Sequence, residues 1–283
     1  MTKRELTDQA KKLLEIDKKP NEALVIYQQV WSSYTEERNE WDALYSLKSI
    51  RAAEQKQEEW EREVLAAFPE NEKINGFYKW ILFDRYVKLF KAIDLNSAEE
   101  GIKRIVEIST QNNYNTAVKN TFPCPYTIGV FNLLKAYKKP NFNINKIGFW
   151  ITKLDPEKLN RKPQSYKIEG KTNEYASDFE EYYSVLTKYL WETKDYNACI
   201  NSCEEGLNLI NKFHYDNDIW LQRRIALSLI KLNRSEEAEH IIEKLLENKA
   251  GQKWFIEKEL SEIYVDDKEY GKALLHASKA ALM

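Results

Sequence analysis

Cys199 and Cys203 stand four apart, a spacing that puts two thiols on one face of a helix and could supply half of a zinc site. Nothing in the chain completes such a site. The histidines are His214, His240 and His276, and no second Cys or His pair stands at ligand spacing. Small apolar side chains four apart also suit close helix packing, and that is the reading the two cysteines take here. Cys124 sits between Pro123 and Pro125 with no base beside it in sequence to make it a nucleophile. Arg234 and His240 are six apart, a spacing that could serve acid–base chemistry. Two residues, however, do not define the geometry of an acid and a base. The chain has 8 glycines, and the nearest two, Gly129 and Gly148, are nineteen apart. Phosphate-cradling glycine loops are therefore excluded. The expectation is no catalytic residue, no metal ligand and no cofactor.

Cationic chemistry is better represented. Eleven Lys and Arg fall between Lys119 and Lys171 against three acids, in a chain whose net charge is -2. Lys135, Lys138, Lys139, Lys146, Arg161 and Lys162 are the candidates there for holding a polyanion, through salt-dependent attraction to phosphates. Aromatics interleave with them, among them Phe122, Tyr126, Phe131, Tyr137, Phe142, Phe149, Trp150 and Tyr166, and such rings could stack on bases. The spacing of Phe131, Leu134 and Tyr137, and of Ile147, Trp150, Ile151 and Leu154, is also that of a buried helix face.

The elements that must position these groups are helices. Fifteen residues of 283 are Gly or Pro, too few for a fold built on tight turns. With 13% aromatic and 31% charged residues and almost no net charge, wholesale disorder is excluded. No run approaches the length of a membrane span, and three cysteines without framework spacing point to a reducing, cytoplasmic setting. Five of the seven prolines (Pro123, Pro125, Pro140, Pro156, Pro163) share the basic stretch, so the expectation there is short helices, loops and an extended run at Ser165–Ile168. The chain divides by these signs into an N-terminal helical region 1–112, a basic central segment 113–172 and a C-terminal region 173–283.

The C-terminal region repeats. Leu186, Ile225 and Leu260 take one position; Thr187, Ala226 and Ser261 a small one; Leu190, Leu229 and Tyr264 a large one. After a polar turn come the small anchors Cys199, Ala238 and Ala273, then Cys203, Ile242 and Ala277, then Gly206, Leu245 and Ala280. The anchors are 39 and 35 residues apart. Small residues recur where two antiparallel helices cross, and large ones recur where neighbouring pairs meet. This pattern resembles the tetratricopeptide repeat family over residues 179–281, without its repeat-ending proline and with Lys212–Asp216 lengthening the first link. It is weaker at residues 1–35, where Pro20 opens a helix after the turn, Ala23 and Tyr27 fit, and Lys11 stands at a small position. Trp41 to Arg51, Trp60 to Phe68 and Phe77 to Ile93 read as further amphipathic helices. The expected fold is all-α, a solenoid of helical hairpins around a basic and less regular centre.

The resemblance implies a function as well as a fold. In the family, the first helices of the hairpins line a concave groove that holds an extended peptide or a partner helix. Ser184, Lys188, Trp191, Arg223, Leu227, Lys231, Lys258 and Glu262 fall at its groove positions, with Arg224 beside them. Lys188, Trp191, Arg223, Arg224, Lys231 and Lys258 are thus the partner-groove candidates, suited to an acidic peptide or a terminal carboxylate. Family members that clamp a C-terminal carboxylate use asparagines where this chain has Lys188 and Leu227. The first reading is a non-enzymatic interaction module with a protein or peptide partner. The second is a nucleic-acid-associated protein, or the accessory part of a longer nucleic-acid-processing chain, working through residues 119–171. The third rests on Arg234 and His240, whose spacing resembles that of a family of helical ribonucleases. The apolar last helix, Ala273 to Met283, lacks a cap, which suggests self-association or a chain that continues.

Overall fold

Among the described residues, seven α-helices begin at a side chain that accepts from the first free backbone N–H groups. Thr2 and Glu5 form a reciprocal capping box at the start of α1 (Lys3–Glu15). Pro20 occupies the first turn of α2 (Pro20–Ser33). Asn39 caps α3 (Glu40–Ala52), α4 follows at Glu58–Ala67, Asn71 caps α5 (Glu72–Leu82) and Asp94 caps α6 (Leu95–Ile108). Then come α7 (Pro125–Lys138) and α8 (Ile144–Ile151), the latter capped by Asn143. Strands β1 (Gln164–Ile168) and β2 (Lys171–Tyr175) form an antiparallel hairpin with Gln164 opposite Tyr175. The last six helices are α9 (Asp178–Glu192), α10 (Tyr196–Leu209), α11 (Asp218–Lys231), α12 (Ser235–Glu247), α13 (Trp254–Asp266) and α14 (Tyr270–Leu282). The computed structural model describes residues 1–112, 124–168, 171–247, 253–266 and 268–283. Lys119, Phe122 and Pro123 lie outside them, as do the side chains of Tyr166 and Lys171.

The chain forms two compact units. One holds Met1–Asn112 with α7 as far as Leu133, and the other runs from Leu134 to Met283. The described part of the basic segment, from Cys124 on, is divided between them after Leu133. Its extended run is β1, the first strand of the hairpin.

In the second unit, the repeat positions meet as their sizes require. Thr187, Cys199, Ala226, Ala238 and Ala273 are all buried. The Cys199 thiol donates to the Thr187 carbonyl at 3.3 Å, and the Ser261 hydroxyl donates to the Ala273 carbonyl at 2.9 Å. These contacts mark the crossings of α9 with α10 and of α13 with α14. A Cβ on Gly206 would meet Leu221 and Tyr183 at 3.1 Å, so the absent side chain is what lets α10 lie so close to α9 and α11. Between hairpins, Cys203, Leu221, Ile225, Leu229, Ile242, Ile256, Leu260 and Tyr264 form one continuous core. Each hairpin contacts the next in chain order, α10 on α11 and α12 on α13. Apart from the β1–β2 hairpin this unit is all-α, and α9 to α14 stack as tetratricopeptide-like hairpins.

Each hairpin turn uses the same device. Lys194, Asn233 and Lys268 take left-handed backbone (φ 64, 59 and 63), each five residues before its small anchor. The next N–H then folds back onto a carbonyl of the preceding helix: Asp195 to Leu190, Arg234 to Leu229, Glu269 to Tyr264. Lys18 repeats the device before Ala23 in the first unit. The weak resemblance of residues 1–35 is thus matched by a true hairpin of α1 on α2.

In the first unit, one expected helix is corrected. The helix expected over Phe77 to Ile93 begins at Glu72 and ends at Leu82, then widens into a π-turn over Phe83–Val87. The Arg85 guanidinium reaches both oxygens of the fully buried Glu61 at 2.6 and 2.8 Å and the Gln55 carbonyl at 2.7 Å. Arg51 binds Asp84 at 2.6 Å. These bonds tie the widened turn to α3 and α4.

Candidate functional site

The groove candidates do not act as one row. Successive residues on a helix point about 100° apart, so the adjacent arginines of α11 face different neighbours. Arg223 turns toward α13, where its guanidinium forks onto both Glu259 oxygens, with contacts of 2.9 and 3.0 Å from Nε, and lies 5.2 Å from the Phe255 ring centre. Burial pushes the Glu259 carboxyl above its usual range, against the pull of Arg223. Lys258 pairs with Glu262 on its own helix at 3.0 Å, and both are exposed. Trp191 packs against the repeat core and edge-on to Tyr196, with its indole N–H buried and without a partner. Lys231 is exposed at the end of α11.

Arg224 and Lys188 are different. They line a cleft of about 300 Å³ between α9 and α11, together with Glu181, Ser184, Trp220 and Lys138 of the basic segment. Arg224 donates to the Thr187 hydroxyl and, at 3.4 Å, to the Ser184 carbonyl. Among the described residues no carboxylate pairs with it. Lys188 lies 4.6 Å from the Phe142 ring centre. Lys138 is 4.0 Å from Glu181. Burial lowers the Lys138 ammonium pKa; Glu181 opposes this, while the charges of Lys188, Arg224 and Lys135 reinforce it. Burial lowers Arg224 too. Three cations therefore converge where water is partly excluded, with one loosely held carboxylate among them.

The second acid of the cleft is already engaged. Glu180 is buried; its oxygens accept from the His214 backbone N–H at 3.0 Å and from the Asn217 amide at 2.9 Å. The lengthened link 212–216 is thereby fastened to α9, and Phe213 and Asn217 become a wall of the cleft. Tyr215 and Asp216 take left-handed backbone to make this turn. Sequence reading treated the link as spacer and missed Glu180, Glu181, Phe213, Asn217 and Trp220. The sole local signal was an insertion with acids at the start of the helix it meets.

The remaining polyanion candidates are distributed. Lys135 and Lys139 are exposed at the end of α7. Lys146 lies 5.7 Å from the Tyr137 ring centre. Arg161 pairs with Glu157 at 3.2 Å and lies 4.6 Å from the Phe179 ring centre, and Lys162 is exposed. Of these six, only Lys138 lines the cleft. Cys199 and Cys203 sit in the core, and no group of three metal-ligating side chains gathers among the described residues. No helix there is long and apolar enough to cross a membrane.

No family model and no curated protein matches the chain. Solved structures align with it at low identity. MamA MSR-1 C2 is 14% identical with a TM-score of 0.41, over 72% of this chain and 95% of that one. A crystal structure of MamA is 14% identical with a TM-score of 0.32, over 83% and 87%. The APC/C hetero-tetramer Cut9–Hcn1 is 12% identical with a TM-score of 0.42, over 97% and 52%.

Proposed function

We propose that this chain is a non-enzymatic interaction module that holds an anionic peptide segment of a partner protein in the cleft between α9 and α11. The convergence of Lys138, Lys188 and Arg224, with no carboxylate on Arg224 among the described residues, carries this reading. Their mutual repulsion and lost hydration are offset when an anion enters, so binding is favoured by what the empty arrangement lacks. An acidic side chain matches the excess charge. Lys138, Lys188 and Arg224 stand against Glu180 and Glu181, so one added carboxylate leaves the lining neutral.

Fluorescence anisotropy with a labelled oligoglutamate peptide tests the proposal. Binding should weaken steeply with salt, and Arg224→Gln or Lys188→Gln should weaken it about tenfold or more. Equal affinity in wild type and both variants would refute it. Single-stranded nucleic acid is the second reading, favoured by the exposed Lys135 and Lys139 beside Lys138 at the end of α7. A labelled oligothymidylate that binds wild type but not a variant with Lys135, Lys138 and Lys139 changed to Glu, while oligoglutamate does not bind, would put that reading first.

A further inference from the structure

The cleft opens beside a run of aromatic rings. Trp220, which lines the cleft, is 42% exposed. Its ring stacks on Phe255 with centres 5.5 Å apart and planes 16° apart. Phe255 in turn meets Trp254 edge-to-face at 5.8 Å, and Trp254 is 56% exposed. Indole rings left so open are uncommon where a neighbouring core could cover them, and they dominate binding energy where a partner does. The charge beside them is already satisfied: Arg223 lies against Phe255 and is held by Glu259. The surface therefore has a direction. Uncompensated positive charge lies at the α9–α11 end, and uncharged aromatic faces continue from α11 to α13.

We infer that the segment bound here carries an acidic residue close to bulky apolar residues, the acid seated at Lys138, Lys188 and Arg224 and the apolar side chains laid on Trp220, Phe255 and Trp254. This rests on the interaction-module reading above and specifies its ligand. Complementarity requires both halves. A purely acidic segment leaves the rings wet, and a purely apolar one leaves the cleft's one excess positive charge without a counter-charge.

Panning the full chain against a phage-displayed library of random peptides tests the composition of the motif. The expected consensus is Asp or Glu within a few residues of Trp, Phe or Leu. A labelled peptide of that consensus should lose about tenfold in affinity on Trp254→Ala and again on Trp220→Ala, and as much when its own aromatic residue becomes Ala. Because Trp254 is exposed, its replacement should leave the fold intact, which circular dichroism checks. Acidic peptides with no apolar preference, bound equally by both tryptophan variants and lost on Arg224→Gln, would overturn this inference and leave the cleft reading standing. Peptides indifferent to Arg224→Gln, or no enrichment, would overturn both.

Discussion

Arg223 and Arg224 are neighbours in sequence, yet their removal should affect stability in opposite ways. Arg223→Met strips the fork from Glu259, whose side chain is 12% exposed and whose carboxyl is already raised by burial. Breaking a buried pair from one side costs about 3–5 kcal/mol. With Arg223 itself 28% exposed, water replaces part of the loss, so about 2–3 kcal/mol is expected. At roughly 2–4 °C per kcal/mol for a unit of this size, the midpoint should fall by roughly 5–10 °C. Arg224→Met removes a half-buried cation with which no described carboxylate forms an ion pair. It orphans nothing, because the Thr187 hydroxyl still donates to the Tyr183 carbonyl at 2.6 Å and the Ser184 carbonyl lies within α9. Its stability should be unchanged or higher by up to about 1 kcal/mol. Acid should discriminate further. In Arg223→Met the unpaired Glu259 has a folded pKa above its unfolded one, so folding tightens its hold on a proton and stability falls as pH rises. The deficit should be largest near pH 8 and smallest near pH 4. Thermal unfolding of the two variants and wild type across that range is the assay. Equal destabilisation by both substitutions would refute the assignment of Arg223 to structure and Arg224 to the proposed site.

Three further outcomes are expected. Burial raises Asp178 to about 6; Lys135 opposes the shift and Glu181 adds to it. The folded state thus holds this proton more tightly than the unfolded one, and the stability difference between Asp178→Asn and wild type should grow from none near pH 4 to about 1–3 kcal/mol in favour of the variant above pH 7, measured by urea unfolding. Glu61→Ala should cost about 3–5 kcal/mol because it leaves the Arg85 guanidinium half-buried and unpaired, and replacing both residues by apolar ones should recover most of that loss. Lys194→Gly should raise the unfolding midpoint, since a lysine at φ 64 carries a strain of about 1 kcal/mol that glycine does not; a lower midpoint would show that the Lys194 side chain contributes more than the strain costs.

The helical hairpins were legible because what makes them is local. Small residues at Thr187, Ala226 and Ser261, and at Cys199, Ala238 and Ala273, are set by the distance at which two helices a few residues apart can cross, and sequence spacing records that distance directly. The polar turns between them were equally plain, although their left-handed Lys194, Asn233 and Lys268 carry no glycine to announce them. Less visible was the end of the helix expected over Phe77 to Ile93, because the bonds that tie the π-turn run from Arg85 to Glu61, twenty-four residues away, and from Arg51 to Asp84, thirty-three away.

The candidate site divides along the same line. Sequence alone marked the first helices of the hairpins as the place for cations and gathered Lys188, Arg223, Arg224 and Lys258 there as equals. Tertiary structure decided which of them are spent. Helical rotation sends Arg223 to Glu259, thirty-six residues on, and Arg224 into the cleft. It also brings in Lys138, which sequence had placed in a separate basic segment, and Trp220, which it had not singled out. The reason is range. Packing of a helix against its partner depends on side-chain size within one repeat, whereas the balance of charge in a cleft depends on side chains from several elements that only the assembled stack places together.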